Sequence, residues 1–190
     1  MPDVELVRSD SPRVAELEAT GYRVVGESWG ARLRFTQSSR SGLDVAMSRA
    51  DVELRELGPE FAVAVFELES ATSADYPVTP ATPHQSRDLP AVKELWNESR
   101  LYGALDGSRL VGVAAISRDG QRAEVEFASV LSDYRGQGVG AATVAFGIVR
   151  EADDGAVEFR TGGAVGNTAS LSTARAIGFA IDERWLTYSR

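Results

Sequence analysis

Polar and apolar residues alternate over Asp51–Leu57, the period of a half-buried strand. At Pro59 the spacing lengthens, and Phe61, Val65, Phe66 and Leu68 can share one face of a helix. Asp88 then stands where a helix N-cap is wanted, ahead of Pro90, with Val92, Leu95 and Trp96 on one side of the helix that follows. Three strand-like runs come next, Arg100–Leu105, Leu110–Ser117 and Arg122–Leu131, joined at Asp106-Gly107 and Asp119-Gly120. Asp-Gly is a strong hairpin signal, because both central residues of a type I′ turn take positive φ. After this meander the period changes. Val139–Ala152 is a helix apolar on most sides that ends near Gly155, Ala156–Arg160 a short strand, Asn167–Ile177 a helix closed by Gly178, and Phe179–Ser189 a strand. The third meander strand, the helix from Val139 and the strand at 156–160 form a strand–helix–strand crossover, which makes the two strands parallel. Between 75 and 83, Pro77, Pro80 and Pro83 exclude a helix and predict a loop that shapes a cleft.

The first 48 residues partly echo the last. Ser11-Pro12 opens a helix with Val14 and Leu17, which leads to Gly21-Tyr22 and a strand over Arg23–Arg34 containing Trp29. At the far end Ala174–Ile177 leads to Gly178-Phe179 and a strand containing Trp185. Residues 1–48 are therefore read as an N-terminal extension resembling a partial repeat, and 49–190 as the main domain. A chance likeness between two helix–strand units is the alternative.

Composition narrows the chemistry. A chain of 190 residues, 43% apolar and 25% charged, suits one folded domain with or without an appendage. No apolar run approaches the ~18–20 residues that span a bilayer, so no membrane partner is expected. The start Met1-Pro2-Asp3-Val4-Glu5 lacks the basic-then-apolar order of a secretory signal, which makes the cytoplasm the expected address. With no cysteine and one histidine, disulfides, thiolate ligands, cysteine nucleophiles and multi-histidine metal sites are excluded, and no metal is expected. The net charge of −8 argues against nucleic acid, whose binding rests on Lys and Arg, and favours a cationic partner such as an amine. A homodimer stays open.

The sharpest motif is Arg135-Gly136-Gln137-Gly138-Val139-Gly140, where a strand hands over to a helix. Glycines at alternate positions let the backbone turn and present its N–H groups with nothing in the way. The helix start beyond adds unpaired donors and the positive end of the dipole, and Arg135 adds a full charge. The result suits a diphosphate, although a plain connecting turn uses the same residues. A P-loop is excluded because no Gly-Lys-Ser/Thr is present, and the dinucleotide fingerprint read from Gly138 fails at Thr143.

The run Val130-Leu131-Ser132-Asp133-Tyr134-Arg135-Gly136-Gln137-Gly138-Val139-Gly140 resembles the acyl-CoA motif of the GNAT superfamily of acyl-CoA-dependent N-acyltransferases, Arg/Gln-x-x-Gly-x-Gly/Ala. Asn167, Ser170, Leu171 and Ile177-Gly178-Phe179 resemble that family's pantetheine-side helix, and the order of elements over about 50–190 agrees. The resemblance implies a mixed α/β fold with a mostly antiparallel central sheet, one parallel crossover at the CoA site and the N-terminal helix–strand extension added. It implies acetyl-CoA as cosubstrate. Ser129 and Val130 would lie along pantetheine, with one backbone N–H there polarising the thioester carbonyl. The amides of Arg135, Gly136, Gln137, Gly138, Val139, Gly140 and Ala141 would hold the diphosphate, and Asn167 and Ser170 would stand beside the cofactor arm. Asn167 is equally suited to cap its own helix.

Acyl transfer to an amine needs a base, and Glu124 and Glu126 stand two apart on the strand before the motif, hence on one face. Some relatives carry a glutamate where Ala123-Glu124-Val125 falls. Many relatives also place a tyrosine seven positions after the asparagine to protonate the leaving thiolate; here that position is Ala174. Ser172, Thr173 and Tyr134 are the alternatives. His84 and Asp75-Tyr76-Pro77 are candidates for an acceptor pocket, and Trp29, Trp96 and Trp185 are read as core or interface. The expected function is N-acetyl transfer from acetyl-CoA to a primary amine of a small molecule or peptide in a direct ternary complex. The alternative is a catalytically degenerate acyl-CoA-binding module with a regulatory role.

Overall fold

A computed structural model of the chain describes residues 4–75 and 87–190; His84, Tyr76 and the prolines of the predicted loop lie outside the described residues. In chain order the elements are β1 (Val4–Arg8), α1 (Arg13–Ala19), β2 (Arg23–Arg34), α2 (Gln37–Met47), β3 (Glu53–Leu57), α3 (Ala62–Thr72), α4 (Leu89–Glu98), β4 (Arg100–Asp106), β5 (Arg109–Asp119), β6 (Arg122–Val130), α5 (Val139–Asp153), β7 (Glu158–Ala164), α6 (Thr168–Ala176) and β8 (Ala180–Ser189). The strands form one mixed sheet in the order β1-β8-β2-β7-β6-β5-β4-β3, in which only β6 and β7 run parallel.

Helices cover the sheet unevenly. Val144, Ala145, Ile148 and Val149 of α5 pack with Leu43 and Ala46 of α2 onto Ala114, Ile116, Ala123, Val125 and Phe159. Each Val or Ile fully buried in this way contributes about 1.5–3 kcal/mol. On the opposite face α3 and α4 bring Val65, Leu68 and Val92 against Leu101, Val113 and Ala115. Both faces of β4 and β5 are thus covered, and so these strands read as continuous apolar runs rather than alternating ones.

The predicted helix caps hold where their chemistry is local. The Asp88 carboxylate accepts the Ala91 N–H at 2.9 Å, and the Asn167 side-chain oxygen accepts the Ser170 N–H at 3.1 Å. Two elements carry no clear sequence signal. β1 is a five-residue edge strand, and α2 is announced only by the Thr36–Ser39 capping box. The strand predicted at 156–160 runs instead over Glu158–Ala164, through two glycines, because β2 lies alongside and pairs Gly30 with Gly162 and Trp29 with Gly163. A Cβ on Gly162 would come within 2.9 Å of the Trp29 carbonyl oxygen, so the close approach itself requires glycine.

Residues 4–48 are built into this architecture. β2 is a full strand between β7 and β8, and Trp29, Ala31, Leu33, Leu43 and Ala46 belong to the same core as α5. The two echoing helix ends are also built alike. Gly21 and Gly178 have φ of 88° and 94°, and the Tyr22 and Phe179 N–H groups donate to the Leu17 and Ala174 carbonyls at 3.0 Å each.

Candidate active site

The parallel ladder between β6 and β7 holds only three residue pairs, the last of them Glu124 with Arg160. Beyond it the strands diverge, and a cleft of about 770 Å³ opens between them. This lies within the ~300–1,000 Å³ range usual for small-molecule sites. Val125–Val130 of β6 and Thr161–Ala164 of β7 form its walls, and Gly136, Gly138, Gly140 and Ala141 form one end.

At that end the chain makes the turn the glycines predict. Gly136 and Gly138 have φ of 72° and 82°, in the left-handed region, and Gly138 is the N-cap of α5. A glycine N-cap has no side chain to occupy the first-turn amides, so these donors face the cleft together with the positive end of a 15-residue helix. The cradle fits a diphosphate. Arg135 is tied down beside it: its Nε donates to the Val130 carbonyl at 3.0 Å, and its Nη2 meets the Asp75 carboxylate at 2.6 Å.

Of the predicted cofactor residues, Ser129, Val130, Arg135, Gly136, Gly138, Val139, Gly140, Ala141, Asn167 and Ser170 all line the cleft. Gln137 does not. Its side-chain amide turns back to donate to the Asp133 carbonyl at 2.7 Å, which holds the loop closed. Asn167 caps α6 through Oδ1 and also lines the cleft; among the described residues its Nδ2 has no partner.

The two glutamates part company. The register of β5 against β6 passes from Ala115–Phe127 to Ile116–Val125, leaving Glu126 as the extra residue of a β-bulge. The bulge breaks the alternation between Val125 and Phe127, while both carboxylates stay on one side of the sheet, since Glu126 bonds Ser117, the register partner of Glu124. Glu126 lines the cleft and accepts the Ser117 hydroxyl at 2.5 Å. Glu124 opens instead into an adjoining pocket of about 210 Å³, lined also by Arg32, Arg160, Glu183 and Trp185. Partial burial holds the Glu124 carboxyl above the ordinary glutamate range; the Glu126 charge pushes it further up, and Arg160 pulls it back.

Ala174, where a hydroxyl was wanted, lines the cleft along with Ser172 and Thr173. The Tyr134 hydroxyl donates to the Asp106 carboxylate at 2.7 Å, and this bond, with burial, keeps its proton more tightly held than in a free tyrosine. Arg87, which the sequence did not single out, reaches the cleft with its guanidinium over the Phe127 ring at 4.8 Å and 2.9 Å from the buried Glu69 carboxylate. Trp96 donates to the Leu57 carbonyl at 2.8 Å within the α3–α4 layer and Trp29 is buried, whereas Trp185 borders the smaller pocket.

Residues 65–179 match the model of the acetyltransferase (GNAT) family. The chain belongs to that family. No curated protein matches it in sequence. Among solved structures, a GCN5-related N-acetyltransferase from Sphaerobacter thermophilus superposes with a TM-score of 0.70 at 15% identity, covering 100% of this chain and 60% of that one. One from Kribbella flavida gives 0.66 at 18% identity, covering 98% and 67%. A tandem GNAT protein from the clavulanic acid biosynthesis pathway gives 0.62 at 20% identity, covering 100% and 62%. At such identities the likeness is one of fold, and this GNAT chain spans about three fifths to two thirds of those proteins' length. Members of the GNAT family use CoA and an acceptor substrate. Among the described residues there is no group of His, Asp or Glu that could hold a metal ion, and no helix long and apolar enough to cross a membrane.

Proposed function

We propose that this GNAT chain transfers an acetyl group from acetyl-CoA to a primary amine in a direct ternary complex. The observation that carries the reading is the cleft, with an anion cradle at the start of α5 and carboxylates where β6 and β7 part. The diphosphate would lie against the amides around Gly136–Ala141. Pantetheine would run beside Ser129 and Val130, with Asn167 and Ser170 on its other side.

In the reaction the amine nitrogen attacks the thioester carbonyl. Its proton passes to Glu124, directly or through water, the C–S bond breaks, and the CoA thiolate leaves and takes up a proton. A carboxyl held above its ordinary range is the better base for this step. Ser172 and Thr173, which line the cleft, would offer hydroxyls to the thiolate, and a thiol with a pKa of ~8.5 is a tolerable leaving group unaided.

The second reading, a degenerate acyl-CoA-binding module with a regulatory role, is favoured by Ala174 and by the engagement of Tyr134 with Asp106. Thiol release from acetyl-CoA measured across a panel of primary amines separates the two. Amine-dependent release is expected; tight acetyl-CoA binding with no release across the panel would leave only the module.

A further inference from the structure

The pocket of about 210 Å³ beside Glu124 lies on the face of the sheet turned away from α5. Glu124, Arg160 and Arg32 are register partners across β6, β7 and β2, and so project to the same side. Their chain neighbours Ala123, Phe159 and Leu33 are buried against the α5 side. The pocket meets the cleft at Thr161 and Gly162, which line both. A molecule whose reactive end lies at the parting of β6 and β7 can therefore extend its far end into this pocket.

The lining carries two guanidinium groups, Arg32 and Arg160, and two carboxylates, Glu124 and Glu183, and two further carboxylates stand just outside it. Arg32 is held by Asp182 at 2.6 Å and lies 4.0 Å from Glu183, and Arg160 is held by Glu158 at 3.1 Å. The shorter contact of each guanidinium group is thus to a carboxylate outside the lining. Glu124 makes no hydrogen bond or ion pair among the described residues. The Glu183 carboxylate accepts the Trp185 indole N–H at 3.0 Å, which sets the carboxylate beside an aromatic wall. Room for it comes from Gly30: a Cβ there would lie 2.8 Å from Glu183 Oε2. The surroundings are net acidic with an aromatic side, the combination that receives an alkylammonium.

We infer that this pocket, more than half of it contributed by β2 and β8, binds a second cationic group of the acceptor, so that the acceptor is a diamine or an amine carrying another ammonium. This rests on the acyl-transfer reading above, and Glu183 and Trp185 are its specificity-determining residues. The probes are cadaverine, pentylamine of the same chain length, and aminovalerate, which replaces the second ammonium with a carboxylate. Cadaverine is expected to show a KM lower than pentylamine by about tenfold, with aminovalerate poorest. Glu183→Gln should remove most of that ratio while leaving acetyl-CoA affinity unchanged. Gly30→Ala, which displaces Glu183, should act the same way. Equal KM values for cadaverine and pentylamine, or a ratio untouched by Glu183→Gln in a variant that melts like the parent, would overturn the inference and leave acyl transfer standing. If no amine is acetylated, the function reading falls first, and calorimetric titration of the CoA-loaded protein decides the pocket. Cadaverine binding that is lost in Glu183→Gln supports it, and binding no tighter than that of pentylamine overturns it.

Discussion

Gly138 combines two demands at one position, a left-handed backbone and an empty space in front of the first-turn amides of α5. Gly138→Asp breaks both. The backbone strain costs about 1–2 kcal/mol, or a fall in Tm of roughly 2–8 °C, and the carboxylate occupies the anion cradle. Acetyl-CoA binding by calorimetry is expected to fall below detection; unchanged affinity would remove the cradle from the cofactor site. For Glu124, the Gln variant should lose roughly 10²–10⁴ in kcat with acetyl-CoA affinity preserved. Because burial and then Glu126 raise its carboxyl, activity should rise with pH through a limb above the ordinary glutamate pKa of ~4.3. Removing the Glu126 charge with Glu126→Gln removes an upward push, so the limb of kcat/KM should move to lower pH. A limb that stays put would separate the two groups. The anion loop was legible because its glycines answer a constraint that is local in sequence. The bulge was not, since Glu124-Val125-Glu126 looks regular until β5 lies beside it.

At the scale of elements, α5 is fixed by a charge buried under its last turn. Glu151 is fully buried; it accepts the Tyr102 hydroxyl at 2.7 Å and lies 3.3 Å from both Arg100 and Arg118. Its Oε2 faces Arg118 without hydrogen-bond geometry, which makes the assembly an ion cluster rather than a ladder of bonds. Glu151→Ala strips the carboxylate from two arginines and the phenol at once and should cost about 3–5 kcal/mol, read from urea unfolding. One turn earlier, a Cβ on Gly147 would meet Tyr102 Cδ2 at 2.6 Å and Ile116 Cδ1 at 2.7 Å. Gly147→Ala is therefore expected to cost about 1–3 kcal/mol despite the better helix propensity of alanine. The helix itself was plain from its apolar run, but Glu151 was not, because nothing local marks a glutamate as buried. α2 was missed for the complementary reason: it exposes most of its surface and buries only Leu43 and Ala46.

For the whole molecule, the order β7-β2-β8 decides what a truncation does. The meander and the crossover were readable because their partners are sequence neighbours. The place of β2 was not, since a strand's own pattern does not say between which two others it goes. Deleting residues 1–34 would leave β7 and β8 without the strand that joins them and uncover the core positions filled by Trp29, Ala31 and Leu33. The shortened chain is expected to be insoluble or to lack a cooperative melt, and a cooperative melt near the parent Tm would contradict the integral role of β2. The same insertion bears on synthesis. Arg32 is made 150 positions ahead of its partner Asp182. A ribosome therefore releases β2 long before either neighbour exists, and this part of the sheet can close only once β7 and β8 have emerged. Pairing at such separation is slow to form. Until then β2 is a strand with two bare edges, and the nascent chain is open to mispairing or to capture by a chaperone up to the appearance of β8.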